Sequence, residues 1–541
     1  MKLKTKIKNH SLIVGVTVLF LTHQIYFILK GGTTWDDLEI LLTSERVLDK
    51  AYWNFVDRSN PFLGDYNFNL EYYGYLVPII VYLLTLLLKS SNLFVPLLGE
   101  ITQLSNAGEM EITYMIRYIV LNFYVAALVL VFYRHLLKID SKMKAALFCA
   151  LLYLVPSFNG HALFNIKDIP FSLHYFLCVL VIINYPIEKV TINRPNIMKL
   201  IYFGVIFGTL VLVRFNGYAF LLILSFYKFI ITYKVSIKNI LNLTRNWLVI
   251  YTTSFIVLIL GSPSSWHKPH QWLKGVYETQ FNINWGGSTL TNGTLIPGDD
   301  VSADYLATWF LYKMPINLIL GFMISIFCAA FLKEVKFSNL GNYSIFLTLV
   351  IFTAFSMVRP ISYDGIRQYI FVIPFFVYIY VEMYEKLIKK FLKSFSLTFL
   401  MLSFAYLLLT QGSLEQYKYV YFNEFVDEES ITSDCEEIGG CGIWETDYWG
   451  YSGKQLMINN TDLSNIQLCE PVNVFQPYIS EKKIMQESKY FYIASIHRTI
   501  AEDENLCQNL SSSLNNCKIH SKETVFLRGV ELNLSYIYRC Y

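Results

Sequence analysis

Up to about residue 410 the chain alternates apolar runs with short polar stretches that are mostly basic. The runs lie near 11–29, 114–133, 145–158, 171–184, 199–213, 217–232, 246–262, 315–332, 343–358, 369–384 and 394–410. Many reach about 15–20 residues, close to what a helix needs to cross a hydrocarbon core. The pattern predicts about eleven membrane spans. One more run, Leu76 to Leu88, is short, and counting it as a span would move the Arg134–Lys144 segment to the other side. It is therefore assigned to the membrane interface. The first run follows Lys2, Lys4, Lys6 and Lys8 and is succeeded by Lys30-Gly31-Gly32-Thr33, without a small-residue cleavage pattern. It reads as a retained first span rather than a signal peptide.

With that count the basic residues sort to one side. Lys2 to Lys8 fall there, then Arg134, Lys138, Lys142 and Lys144, then Lys189, Arg194 and Lys199. Lys234, Lys238 and Arg245 follow, then Lys333 and Lys336, and finally Lys386, Lys389, Lys390 and Lys393. Lys and Arg in short loops mark the cytoplasmic face, so the N-terminus is expected inside and everything after Gln411 outside. From there Asp, Glu, Ser and Asn become frequent, and short apolar runs such as Tyr490–Ala494 and Thr524–Leu527 look like strands. The expected fold is mainly α: a polytopic membrane helical bundle over residues 1–410, and a small extracytoplasmic α/β or β domain over 411–541.

Composition agrees. The chain is 54% hydrophobic and 16% charged, against about 25% charged in soluble domains, and its mean hydropathy is +0.40. A net charge of +3 carries no nucleic-acid signal. Cys149, Cys178 and Cys328 lie in the apolar runs, where a thiol packs as a small hydrophobe. Cys435, Cys441, Cys469, Cys507, Cys517 and Cys540 all follow residue 411. An even number in an extracytoplasmic segment points to disulfides, with 15 connectivities open. Asn-x-Ser/Thr triplets at Asn292, Asn459, Asn509 and Asn533 are expected by chance in so Asn-rich a chain.

Candidate chemistry concentrates in four loops of the outer face. Asp36-Asp37 follows the first span. Paired carboxylates beside a low-dielectric surface suit proton abstraction or a divalent cation, although no His nearby in sequence completes a metal site. Alternatively, Thr34 or Asp36 caps a helix starting at Leu38. The Asn159–Pro170 loop holds His161, Lys167 and Asp168; charges at membrane level are costly and usually functional, yet Lys167–Asp168 also reads as a surface pair ahead of a helix started by Pro170. Ser262–His270 opens a loop of about fifty residues, long enough to suggest a task of its own, and offers His267 as acid, base or phosphate ligand, or as part of an interfacial belt. Arg359 and Arg367 flank a turn containing Asp364. Arginine grips phosphate bidentately and stays charged; an Arg–Asp364 structural pair is the alternative. Arg214, after the fifth span, adds a phosphate contact or an anchor.

These residues resemble bacterial members of the C-type glycosyltransferase superfamily, which includes protein O-mannosyltransferases and lipid A aminoarabinose transferases. The likeness covers most of the chain. It rests on Asp36-Asp37, on Gly160-His161-Ala162-Leu163-Phe164-Asn165-Ile166-Lys167-Asp168-Ile169-Pro170-Phe171, and on Tyr363-Asp364-Gly365-Ile366-Arg367-Gln368. Tyr421-Phe422-Asn423-Glu424 and Glu445-Thr446-Asp447-Tyr448-Trp449-Gly450 complete it, while the Cys-rich insertion between Asn423 and Trp444 departs from it. The resemblance implies a hexosyltransferase in a bacterial plasma membrane that moves a sugar from a polyprenyl-phosphate carrier, with inversion, to an extracytoplasmic glycan, lipid or protein. It places the base at Asp36 or Asp37. Phosphate contacts fall to Lys167, Arg214, Arg359 and Arg367, and acceptor or leaving-group contacts to His161, Asp168, His267 and Asp364. The rival reading is a transporter or flippase of a lipid-linked sugar; no internal repeat is visible, and most span interiors lack acids, which weighs against it.

Overall fold

A computed structural model describes residues 2–56, 72, 74–90, 109–191, 193–233, 237–281, 287–332, 334–432, 443–479, 491–498 and 517–540. Each predicted apolar run falls on a helical segment. Six helices are long and apolar enough to cross a membrane: His10–Lys30, Glu111–Leu136, Arg194–Val213, Ile237–Leu260, Asn339–Val358 and Lys393–Gly412. Lys142–Leu154 and Pro156–Ala162 form a seventh if counted as one span, although they meet at a 72° bend. Leu76–Ser90, Asp168–Ile182, Gly217–Thr232 and Ile316–Phe331 are apolar but shorter. The figure of eleven also counts runs that fall on three of these shorter helices and on the segment 367–383.

The helix ends follow from local chemistry. Ser141 accepts from the Lys144 amide at 3.2 Å, Asn193 from the Asn196 amide at 3.0 Å, and Ser338 from the Gly341 amide at 3.1 Å, each filling an N-terminal donor that has no partner within its helix. The helices Arg194–Val213 and Ile237–Leu260 pack closely through Gly204 and Gly208, a small-xxx-small pair of the kind that lets membrane helices approach. A Cβ on Gly204 would lie 2.5 Å from Thr253 Cβ, and one on Gly208 2.5 Å from Val257 Cβ.

The 72° bend builds the site. Val155 is extended and Pro156 starts the next helix at its first turn, where a missing N–H costs nothing. The polar groups freed at the break are satisfied from elsewhere, as an apolar surround requires. Asn159 donates to the Tyr153 carbonyl at 2.8 Å, Gln24 donates to the Asn159 carbonyl at 3.2 Å, and Ser157 donates to the Lys313 carbonyl at 3.0 Å. The turned segment presses on the chain beyond the last span. A Cβ at Gly160 would stand 2.2 Å from the Tyr419 backbone nitrogen. Gly160→Ala should therefore cost about 1–3 kcal/mol, the usual penalty for overpacking, read as a lowered unfolding temperature in detergent. Melting unchanged from the wild type would refute this close approach.

After Gly412 the chain folds back onto the bundle. Asn423 donates from its side chain to the carbonyls of Leu311 (2.5 Å) and Met314 (2.7 Å). Asp447 organises the next turn, accepting from the Tyr419 hydroxyl at 2.6 Å, the Trp449, Gly450 and Ser452 amides at 3.2, 2.8 and 3.1 Å, and the Ser452 hydroxyl at 2.5 Å. A four-stranded mixed sheet follows in the order β3-β4-β6-β5, made of Ile466–Leu468 (β3), Phe491–Ile496 (β4), Cys517–Leu527 (β5) and Val530–Cys540 (β6). β3 and β4 are parallel, and the other pairings are antiparallel. Arg528 and Gly529, both at positive φ, make the tight β5–β6 turn that suits the twist of such a hairpin. The sequence reading placed strands at Tyr490–Ala494 and Thr524–Leu527; Tyr490 lies outside the described residues, and the second strand is longer than its apolar stretch because a polar face alternates with it.

The expected disulfides are present in part. Cys517 and Cys540 face each other across β5 and β6 and are bonded. Cys469 is also disulfide-bonded, while Cys435, Cys441 and Cys507 lie outside the described residues. Cys149, Cys178 and Cys328 are buried free thiols. A further hairpin, Ser288–Thr291 (β1) with Thr294–Pro297 (β2), turns at Asn292-Gly293, both at positive φ. Asn-Gly between apolar-polar alternations is a strong hairpin signal, one that the sequence reading does not use.

Glu523 on β5 joins the sheet to the fold-back segment, accepting from the Tyr417 hydroxyl at 3.2 Å and the Asn459 amide at 3.3 Å. Burial pushes its carboxyl from 4.5 to about 7. An acid raised on folding holds its proton longer in the folded state, so its contribution is full below the unfolded value and declines as the pH rises toward 7. Glu523→Gln, which mimics the protonated form, should gain thermal stability relative to wild type between about pH 5 and about pH 7. A difference that does not change with pH would show that Glu523 titrates normally.

Candidate functional site

The first loop shows why adjacent carboxylates do different work. Asp37 opens the Asp37–Val56 helix and folds back on Thr34, accepting from its amide at 2.6 Å and its hydroxyl at 2.8 Å. The Asp37 amide donates in return to the Thr34 carbonyl at 3.1 Å, closing a turn ahead of the helix. Asp37 also accepts from the Tyr118 hydroxyl and lies 3.4 Å from Arg117, whose guanidinium donates to the Asp37 carbonyl at 3.0 Å. Its side chain is 1% exposed. Burial pushes its carboxyl up, and Arg117, Tyr118 and Thr34 offset this only in part. The cap anticipated at Thr34 or Asp36 is not formed by their side chains, since the Thr34 hydroxyl donates to Asp37 and the Asp36 carboxylate turns to Arg367 and Lys167.

Asp36 points the other way. It is 16% exposed and pairs with Arg367 at 2.6 Å and Lys167 at 3.4 Å. Burial pushes its carboxyl up, but the charges of Lys167 and Arg367 outweigh this and hold it well below the usual carboxylate range. Trp35, just before it, donates its amide to the Trp449 carbonyl at 2.8 Å, and Asn473 donates to the Thr34 carbonyl at 3.0 Å. The acidic loop is therefore fixed by the region beyond the last span.

Arg367 is the hub. Besides Asp36 it pairs with Asp364 at 2.5 Å and Asp168 at 3.3 Å, and its guanidinium lies 3.8 Å over the Trp449 ring. That flat, delocalised cation is suited to stacking and bonding at once. Asp168, first residue of its helix, also pairs with Arg214 at 2.6 Å and accepts from Asn165 at 2.9 Å. Asp364, at positive φ beside Gly365, also pairs with Arg498, which reaches Glu445 at 3.5 Å and lies 5.2 Å over the Trp35 ring. The carboxylates Asp36, Asp168, Asp364 and Glu445 thus face the cations Lys167, Arg214, Arg367 and Arg498, and partly exposed Glu39 lies within electrostatic reach of Asp36, Lys167 and Arg367. Buried charges persist when they are paired and bonded in this way.

Of the residues singled out from sequence, the structure joins Asp36, Lys167, Asp168, Arg214, Asp364 and Arg367 in one network. His161 stands behind it, fully buried, sharing hydrogen bonds with the Tyr448 hydroxyl (3.0 Å) and Asn165 (3.2 Å), and Asn165 in turn holds Asp168. Arg359 and His267 are not part of the network. Arg359 is an exposed, left-handed helix cap, His267 lies on an exposed turn, and neither has a side-chain partner among the described residues. Loop membership alone placed them with the others.

Several participants escaped the sequence reading. Arg117 had a signal, an arginine inside an apolar run. Arg498 had none, because nothing local distinguishes it, whereas Trp449 lies in the Glu445–Gly450 motif already quoted from the sequence. Lys454 and Glu111, both 3% exposed and 2.8 Å apart, tie the fold-back segment to the helix that carries Arg117.

The acidic pair does not fit a divalent cation. Asp36 and Asp37 diverge, and each is already neutralised by its own cations. Among the described residues no group of three His, Cys, Asp or Glu is placed to hold a metal ion.

No family model matches the chain, and no curated protein does. Solved structures do. The Archaeoglobus fulgidus oligosaccharyltransferase in its apo form is similar over 77% of this chain and 57% of its own, at 12% identity and a TM-score of 0.48. The same enzyme in complex with Zn and sulfate is similar over 75% and 53%, at 13% identity and a TM-score of 0.44. ArnT from Cupriavidus metallidurans, bound to undecaprenyl phosphate, is similar over 97% of this chain and 98% of its own, at 10% identity and a TM-score of 0.49. The chain spans a little over half the length of the archaeal enzyme.

Proposed function

We propose that this protein is a membrane glycosyltransferase that takes a sugar from a polyprenyl-phosphate carrier and passes it, with inversion, to a hydroxyl acceptor on the extracytoplasmic side. The observation that carries the reading is the Asp36–Lys167–Arg367 cluster: the most exposed carboxylate of a buried ionic network, beside two of its accessible cations, at one end of an apolar helical bundle. The bundle suits a lipid tail, and Arg367, Lys167 and Arg214 suit a phosphate. Asp36 is the proposed base. It would take the acceptor proton as the acceptor oxygen bonds to the sugar C1, while the C1–O bond to phosphate breaks and the electron pair leaves with polyprenyl phosphate. Asp37 sets the loop geometry, and no metal takes part in this scheme. Arg359, His267 and His161 have no assigned contact with donor or acceptor in it.

The test is turnover of a radiolabelled polyprenyl-phosphate hexose by membranes holding matched amounts of wild type or Asp36→Asn. Label released to an acceptor or to water by the wild type, and lost in the variant, supports transfer. Equal consumption by both removes Asp36 as the base.

A further inference from the structure

The carboxylates around Arg367 are not held equally. Asp168 is 3% exposed and keeps Arg214 and Asn165 if Arg367 is lost. Asp364 is fully buried and keeps Arg498. Asp36 is 16% exposed and has only Arg367 and Lys167, which are themselves 10% and 16% exposed. Among the described residues its carboxylate pairs with those two cations alone, at a partly exposed edge of the cluster, and so holds two of the cations that an incoming anion would need; Arg214, 17% exposed, is a third.

We propose that Asp36 is an internal stand-in for the donor's phosphate: the entering phosphate takes over Arg367 and Lys167, and the displaced carboxylate is thereby freed to act as base. This rests on the polyprenyl-phosphate reading above and adds a coupling to it. A carboxylate ion-paired to a guanidinium and an ammonium is a weak proton acceptor. Exchange of Asp36 for phosphate keeps the cations paired, and it leaves the Asp36 carboxylate, at the more exposed edge of the cluster, without a cation, which restores its basicity only when a donor is present. By reciprocity, whatever the phosphate does to free Asp36, Asp36 does to weaken phosphate binding.

That reciprocity is measurable without turnover. Binding of a polyprenyl monophosphate, which carries no sugar, is compared for purified wild type, Asp36→Asn and Asp36→Glu in detergent. Removing the competing charge should tighten binding by about tenfold in Asp36→Asn, with Asp36→Glu within about threefold of wild type. In the wild type alone, an infrared difference spectrum on adding the lipid phosphate should show a carboxylate band leaving its guanidinium-paired position; this needs no variant to fold. Equal or weaker binding by Asp36→Asn, or an unchanged carboxylate region, overturns the competition while leaving the donor reading in place. No binding by any of the three proteins overturns the donor reading and the competition with it.

Discussion

Asp36→Asn should leave the protein folded and reduce sugar transfer by about 10²–10⁴-fold, the usual contribution of a positioned general base. The substitution is nearly isosteric and the side chain lies at the edge of the network, so Asp168 and Asp364 keep their own cations. Asp37→Asn is the contrasting case. It retains an oxygen for the Thr34 amide but gives up the charge that pairs with buried Arg117. Its defect should appear first in stability, by about 1–3 kcal/mol, and in activity only through the misplaced loop. Measuring the initial rate and the unfolding temperature on the same preparations separates the two. If Asp37→Asn melts like the wild type and is inactive while Asp36→Asn turns over, the roles are reversed and the base is Asp37.

Arg367→Ala should be more damaging still, and in a different way. The guanidinium serves Asp36, Asp168 and Asp364 and stacks on Trp449. Removing one partner from a buried ionic network costs about 3–5 kcal/mol, because the opposite charges stay behind uncompensated. That is a large part of the stability of most proteins. The expected result is little or no monodisperse protein on size-exclusion chromatography. Arg367→Lys keeps the charge but cannot reach three carboxylates and stack at once, so it should accumulate at a reduced melting temperature. Wild-type melting for Arg367→Ala would mean that the network contributes nothing to the fold.

The helical bundle was legible because a membrane leaves a strong imprint: backbone polar groups must be satisfied internally, so spanning segments become long apolar runs. Their exact lengths were not, since the bend at Val155–Pro156 is created by packing against Gln24, Lys313 and Tyr419. Most of the site was legible for a related reason. Lys167, Asp168, Arg214, Asp364 and Arg367 are charges beside apolar runs, and such positions are seldom tolerated without partners. The same rule also gathered in Arg359 and His267, because it does not tell a buried charge from a solvated one. The roles of Asp36 and Asp37 could not be separated from sequence: the choice depends on which carboxylate turns toward Thr34 and which toward Arg367. Arg498 was hidden altogether, as its partner Asp364 lies 134 residues away.

That separation has a consequence during synthesis. At about 5–20 residues per second, Asp364 emerges on the order of ten seconds before Arg498 exists to meet it. Until then the hub has a buried acid lacking one of its cations, and the loop around Asp36 lacks the strap that Trp449 and Asn473 supply. A chain that stalls or is cut short before Arg498 thus leaves Asp364 without one of its cations. Protein quality control has there a chemical mark of incompleteness that the arrival of Arg498, Trp449 and Asn473 erases.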